Sequence, residues 1–168
     1  MSLEVDETRF VVDRMLGKLT RWLRLLGFDT LGAVDMPLRE REDDILVGLA
    51  LAEGRVLLTR DKVLCRRAAR RGVRCLLLRS DRVLSQLAEV RDAFNFKFEP
   101  GMERCSLCNG ELRKLAESEF DVLEEKPYVY PHTLNFKEFW ICRECGQVYW
   151  KGSHWKRIQD SLLELGKV

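Results

Sequence analysis

The sequence predicts an α/β domain with a mainly parallel sheet, followed by a small β-rich appendage held by a metal ion and closed by a C-terminal helix. Three observations carry this. Through residues 10–90, short apolar runs alternate with amphipathic helical stretches, the rhythm of parallel strands and their crossover helices. Two Cys-x-x-Cys pairs, Cys105/Cys108 and Cys142/Cys145, put four thiolates on two tight turns, the donor set and spacing of a closed structural zinc site. Finally, two of the apolar runs lead directly into an aspartate, at the edge where open parallel sheets gather functional groups.

Taken in order, Phe10-Val11-Val12 reads as a buried strand that delivers Asp13 to its tip. Residues 14–27 have helical period. Met15, Leu16, Leu19, Trp22, Leu23 and Leu26 share an apolar face, while Arg14, Lys18, Arg21 and Arg24 share the opposite one, and Gly27 is the stop. A second short strand is expected within 28–34, with Asp35-Met36-Pro37 as a loop. Asp43 or Asp44 can cap a helix running to about Glu53, with Ile45, Leu46, Leu49 and Ala52 inward. Val56-Leu57-Leu58-Thr59 is another buried strand; Asp61 follows it and a basic helix runs on to about Gly72. A strand is expected at 74–78, and Ser80-Asp81 opens a helix to about Val90. Phe94, Phe96 and Phe98 alternate like a half-buried strand.

Pro100-Gly101 is the expected boundary between a domain at 8–98 and a zinc segment at 101–168. In the zinc segment, Tyr128-Val129-Tyr130 and residues 136–141 lean toward β structure, as two knuckles separated by strands require, and a helix is expected over about 154–165. Four thiolates close the coordination sphere, so this metal organises structure and the chemistry must lie elsewhere.

Composition bounds the function. With 46% hydrophobic residues in 168, the chain can bury a core and is not a disordered polyelectrolyte. A net charge of +2 names no partner, but its distribution is uneven. Residues 14–24 hold four basic residues and no acid; residues 60–74 hold seven basic residues and one acid, Asp61. Such local faces suit a polyanion, or are simply solvated helix surface. No apolar run approaches membrane length, and residues 1–9 are acidic rather than signal-like. Four metal-spaced cysteines beside two isolated ones, Cys65 and Cys75, which read as small core residues, point to a reducing, cytoplasmic setting. Nothing indicates an oligomer.

Asp13 and Asp61 fall beyond strand ends, as does Asp81 if the last strand is placed correctly, while Asp43 and Asp44 start a helix that enters the same edge. Clustered carboxylates are the ligands of hard divalent cations such as Mg²⁺ or Mn²⁺, which activate water and neutralise charge in phosphoryl chemistry. Helix capping is the competing role, and it is strongest for Asp43, Asp44 and Asp81.

The stretch from Asp43 to Asp61 resembles the PIN-domain ribonuclease pattern, in which an Asp opens a helix, a Gly ends it and a strand closes in Thr-x-Asp, here Thr59-Arg60-Asp61. More narrowly, residues 10–155 resemble the Mut7-C RNase family, a PIN-like domain followed by a zinc ribbon. The resemblance rests on Asp13 with Gly17-Lys18-Leu19 and Arg21-Trp22-Leu23-Arg24, then Leu58-Thr59-Arg60-Asp61. In the ribbon it rests on Arg104-Cys105-x-x-Cys108-Asn109, Cys142-x-x-Cys145-Gly146, Tyr149-Trp150 and Gly152-Ser153-His154-Trp155. It implies a three-layer PIN-like domain and a metal-dependent ribonuclease acting on single-stranded RNA, with Asp13, Asp43 and Asp61 as the acids. Larger PIN nucleases carry another acid between the first two positions. Here Asp29, Asp35, Glu40 and Glu42 lack a clear match, and Asp44 or Asp81 is expected to fill the place.

Around these acids, Lys18, Arg21 and Arg60 are the expected phosphate contacts, and the Thr59 hydroxyl can orient a carboxylate. Trp22 reads as core. His132 and His154 are less suited to zinc than the four cysteines. Tyr149, Trp150 and Trp155 can stack on unpaired bases, although packing of the ribbon is the favoured role. The rival readings are a non-catalytic RNA- or ribosome-binding zinc-ribbon protein, and a structural protein assembled through its ribbon.

Overall fold

The computed structural model describes residues 8–166, so most of the acidic N-terminal stretch lies outside the described residues. Four parallel strands form the main sheet: β1 (Phe10–Val12), β2 (Thr30–Gly32), β3 (Val56–Thr59) and β4 (Cys75–Leu77), in the order β2-β1-β3-β4. The helices α1 (Gly17–Leu25), α2 (Glu42–Glu53), α3 (Lys62–Arg70) and α4 (Val83–Phe94) follow β1, β2, β3 and β4 in turn.

Alternation along the strands divides the interior in two. Phe10, Val12, Val56 and Leu58 face Leu19 and Leu23 of α1 and Leu87 and Val90 of α4. Val11 and Leu57 face the other way, onto Leu46, Val47 and Ala50 of α2 and Leu64 and Ala68 of α3. Strand residues buried on both faces explain why these runs are continuously apolar rather than alternating. The result is helix layer, sheet, helix layer.

The strand order places the site. The chain leaves β1 toward β2, then crosses back so that β3 lies on the other side of β1, with β4 outside it. Connections leaving β1 and β3 therefore diverge in opposite directions. A parallel sheet opens a crevice at such a switch point, beyond the carboxyl ends of its strands.

A second, antiparallel sheet is made by β5 (Leu112–Lys114), β6 (Trp140–Cys142) and β7 (Val148–Tyr149). It has its own small core of Leu115, Leu123, Phe139 and Val148, with the short α5 (Asp121–Glu124) against it. The chain ends in α6 (Ser153–Leu165), whose Leu162 and Leu165 join the main core. Arg91 Nη1 donates to the Leu165 carbonyl at 2.6 Å, locking α6 to α4.

Several expectations are corrected. The first helix is preceded by a 3-10 turn at Arg14–Leu16, which swings Met15 off the apolar face to 59% exposure. Arg24, expected on the solvated basic face, is 2% exposed. In α2 the buried set is Leu46, Val47 and Ala50, rotated by about one position from the expected face, and Ile45 is exposed. That helix is capped by Arg41 in a left-handed conformation, not by Asp43 or Asp44, which sit in the first turn.

The last helix of the main domain starts at Val83 rather than at Ser80-Asp81 and runs on to Phe94. Phe94, Phe96 and Phe98 are not a strand; Phe94 stacks on Phe96, and Phe96 and Phe98 pack tilted and edge-on against Phe28 where α4 gives way to coil. Tyr128-Val129-Tyr130 is irregular rather than β, because Tyr128 serves as a hydroxyl acceptor for the β7 backbone, Val148 N–H to Tyr128 Oη at 3.0 Å. Cys65 and Cys75 are not isolated: the α3–β4 turn brings their Cα atoms to 5.7 Å and they form a disulfide.

Candidate active site and metal centre

Asp13 emerges from β1 into the crevice with 8% exposure, its N–H donating to the Leu58 carbonyl of β3 at 3.0 Å. The fully buried Thr59 hydroxyl donates to Asp13 Oδ2 at 2.7 Å and accepts from the Asp61 N–H at 2.9 Å. A hydroxyl has one proton, and here the backbone donor forces it toward Asp13, so Thr59 holds that carboxylate in register with Asp61. Asp61 caps α3: its Oδ1 accepts from Val63 N–H at 2.6 Å and Leu64 N–H at 3.1 Å. Among the described residues, Asp13 Oδ1 and Asp61 Oδ2 have no hydrogen-bond donor. Each acid is thus held by one oxygen and presents the other.

The third acid arrives from α2. Arg14 grips Glu42 with two nitrogens, Nε to Oε1 at 3.0 Å and Nη2 to Oε2 at 2.6 Å, and also reaches the Met36 carbonyl at 3.0 Å. This pins the first turn of α2 to the turn leaving β1. That first turn presents Asp43 and Asp44, acids well placed on the positive end of the helix. Burial raises the Asp43 carboxyl above its usual value; Arg67 opposes this, and the charges of Asp13, Asp61 and Asp44 push it further up. Asp43 therefore feels the charges of both Asp13 and Asp61 from the other side of the crevice. Arg67 Nη1 lies 3.2 Å from Asp44 Oδ1 and 3.8 Å from Asp43 Oδ2.

Asp81 is exposed in the turn between β4 and α4, and its charge is not among those acting on Asp43. Lys18, Arg21 and Arg60 are exposed, the first two on α1 and the third between Thr59 and Asp61. Three of the four unmatched acids have structural partners, Asp29 with Arg55, Asp35 with Arg24 and Glu42 with Arg14, while Glu40 is exposed and forms no ion pair among the described residues. Arg67 is the site residue that sequence reasoning passed over. It stands in a run with Arg66, Arg70 and Arg71, and only the packing of α3 on α2 singles it out.

The second centre is the cysteine cluster. The ligand atoms of Cys105, Cys108, Cys142 and Cys145 all lie within 4.8 Å of one another, the single group of metal-ligating side chains among the described residues gathered so closely. The sulfur pairs Cys105–Cys145 and Cys108–Cys142 are 3.6 and 3.4 Å apart. A tetrahedral zinc with bonds of about 2.3 Å calls for roughly 3.8 Å, so the donor set and its size fit that ion. Each knuckle closes in the same way. Asn109 N–H donates to the Cys105 carbonyl at 2.9 Å and Gly146 N–H to the Cys142 carbonyl at 3.1 Å, both from left-handed residues. Tyr149 Oη stands 3.0 Å from Cys105 Sγ and accepts from Ser106 N–H at 3.2 Å. This supports packing rather than base stacking for Tyr149, and Trp150 and the buried Trp155 are likewise held against protein. His132 and His154 take no part in the cluster.

The first knuckle is clamped to the main sheet. Arg24 Nη1 donates to the carbonyls of Ser106 and Leu107 at 3.3 and 2.9 Å, Nε to the Thr30 carbonyl at 2.9 Å, and Nη2 to Asp35 at 2.6 Å. Asn109 Oδ1 accepts from the Thr30 N–H at 2.9 Å while its amide donates to Asp29 at 2.8 Å. Burial would raise the Asp29 carboxyl, but its hydrogen bonds from Arg55 and Asn109 outweigh that and hold it low.

These features define a mixed α/β protein with an acidic crevice at its switch point and a four-cysteine metal site docked beside it. A family model described as the Mut7-C RNAse domain matches residues 8–162, and the chain belongs to that family. Its function is accordingly ribonuclease-related, with RNA as the substrate class that the family indicates. No curated protein and no solved structure matched the chain. Among the described residues, no helix is long and apolar enough to cross a membrane.

Proposed function

We propose that this chain is a metal-dependent ribonuclease that hydrolyses RNA phosphodiester bonds at the crevice formed by Asp13, Asp43 and Asp61. The observation that carries this is the Thr59 hydroxyl, which bonds both the Asp13 carboxylate and the Asp61 backbone N–H, so that the two strand-end acids are set side by side, each with one oxygen that has no donor among the described residues. Those oxygens with Asp43, raised by burial and by its acidic neighbours, are a donor set suited to Mg²⁺ or Mn²⁺. When bound, such an ion lowers the pKa of water and offsets charge on the reacting phosphate.

The chain's own residues do the rest. Asp13, Asp43 and Asp61 position the cation, and Asp44 is the better candidate than Asp81 for the supporting acid because it shares Arg67 with Asp43. Lys18, Arg21 and Arg60 hold phosphates of the strand, which we take to be single-stranded. In-line attack by water leaves 5′-phosphate and 3′-hydroxyl ends. The division of labour we propose gives the chemistry to residues 8–98 and the orientation of RNA to the zinc-held residues 101–168.

The test is labelled single-stranded RNA incubated with the protein in Mn²⁺, beside Asp13→Asn and Asp61→Asn. Each substitution should lower the cleavage rate by more than about a hundredfold, since even outer partners of metal ligands are worth ten- to a hundredfold. Cleavage untouched by both, or persisting in excess chelator, overturns the reading. The salt bridges of Arg67 favour one alternative, a non-catalytic RNA- or ribosome-binding protein, because that guanidinium already gives Asp43 and Asp44 a cation. Salt-sensitive RNA binding without cleavage in any divalent metal would select it.

A further inference from the structure

Beside the aspartates, beyond the carboxyl ends of β3 and β4, lies an open cleft lined by Met15, Arg60, Lys62, Leu77, Leu78 and Arg79. Its walls are continuous with the crevice: Met15 is two residues past Asp13, Arg60 and Lys62 flank Asp61, and Leu78 N–H bonds the Thr59 carbonyl at 2.8 Å.

Two features distinguish the cleft from an ordinary surface hollow. Its floor is apolar, and Met15 is 59% exposed there because the 3-10 turn after Asp13 rotates it out of the core. A long, polarisable, flexible side chain standing in water next to charged groups is an adaptable contact surface. Its rim is cationic and unneutralised. Among the described residues, Arg60, Lys62 and Arg79 form no ion pair with a carboxylate, whereas Arg14, Arg24, Arg55 and Arg67 around the same sheet are all paired. The backbone of Arg79 is nevertheless fixed, its N–H and that of Ser80 both donating to the Glu89 carboxylate at 2.8 and 2.9 Å. The loop is held while the guanidinium stays available.

We propose that this cleft is a nucleotide subsite that seats the nucleotide adjacent to the scissile bond. The face of its unpaired base lies on Met15 and Leu77, and its phosphate lies among Arg60, Lys62 and Arg79. The proposal rests on the ribonuclease reading. An apolar floor with no side-chain hydrogen-bonding group accepts the face of any base and reads no edge, so the seat is sequence-tolerant. A base inside a duplex keeps its faces in the stack and cannot use the floor.

The test measures binding of fluorescein-labelled single-stranded RNA of mixed sequence by anisotropy in EDTA, and cleavage of the same strand in Mn²⁺. The proteins are wild type, Met15→Ser and Arg79→Ala; thermal melting checks each fold. Arg79→Ala should weaken binding about fivefold and reduce the salt slope by about one. Met15→Ser should weaken binding of the natural strand about fivefold, and that of an abasic strand not at all. In Mn²⁺ both should raise KM while kcat stays within about twofold. Wild-type affinity in folded Met15→Ser and Arg79→Ala overturns the subsite while leaving cleavage and the ribonuclease reading intact. Weakened binding by variants of a protein that never cleaves supports the subsite and overturns the ribonuclease reading. A wild type that binds no RNA overturns both.

Discussion

The sulfurs of Cys105, Cys108, Cys142 and Cys145 lie within 4.8 Å of one another and, among the described residues, face no cation of the protein, whereas among the acids of the crevice Arg67 already lies 3.8 Å from Asp43 and 3.2 Å from Asp44. The cysteine site is assembled from two local turns, each closed by its own backbone hydrogen bond and left-handed residue. The aspartate site is assembled from two strands and two helices that meet only in the finished sheet. A closed site built for permanent occupancy holds its ligands at bonding separation. An exchangeable site for a hard, hydrated cation needs room for water and substrate between its acids. Under the proposed function, the difference is one of task.

The knuckle is also more deeply tied to the main domain than the acids are to each other. Exchanging Cys105 and Cys142 for serine should abolish bound zinc, read by elemental analysis. It should also collapse the ribbon, because structural zinc sites supply on the order of 10 kcal/mol or more of folding free energy. An unchanged unfolding midpoint would show that the knuckle is not structural. Next in size, Arg24→Met should cost about 3 kcal/mol in urea unfolding, since it orphans the carbonyls of Thr30, Ser106 and Leu107. Lysine there should not rescue, as one ammonium cannot span those acceptors and Asp35 together. Full rescue by lysine would sink the clamp.

On the acidic side the effects are smaller and fall on activity. Thr59→Val keeps the buried shape but removes the bridge, so the cleavage rate should drop about tenfold, with a stability cost of about 1–3 kcal/mol because Asp13 Oδ2 and the Asp61 N–H lose their partner. A rate equal to wild type would mean that the bridge does not position Asp13. The smallest effect is a gain. Asp43 has its folded pKa raised, so ionising it as pH rises through that value costs stability. Asp43→Asn should therefore unfold later at neutral pH by roughly 0.5 kcal/mol, discounted because the side chain is 44% exposed. The gain should vanish on acidification below the unfolded carboxylate's value, where both forms are neutral. A variant less stable at neutral pH would show that the Arg67 pairing outweighs burial and like-charge repulsion.

The parts of the fold legible in the sequence were those set by local periodicity. The strands at Phe10–Val12, Val56–Thr59 and Cys75–Leu77, the helix stops at Gly54 and Gly72 and the last helix all fall where the pattern puts them. The misreadings share one cause. A helical wheel places Arg24 and Met15 by angle alone, but the burial of Arg24 depends on carbonyls eighty residues away, and the exposure of Met15 on a 3-10 turn that shifts the wheel's phase. Arg67 was invisible among its neighbouring arginines for the same reason. Cys65 and Cys75 looked isolated because a ten-residue separation says nothing about distance until α3 folds back on β4.

By itself, then, the sequence determined the α/β alternation, the four-cysteine knuckle and the acids at strand ends, because each is written in spacing over a few residues. Only the tertiary structure decided the strand order that makes a crevice between β1 and β3, the Thr59 bridge across it and the arginine that fastens the zinc knuckle to the sheet. These depend on contacts between residues far apart in the chain, whose pairing is selected by burial and hydrogen-bond satisfaction in the packed molecule rather than by any local pattern.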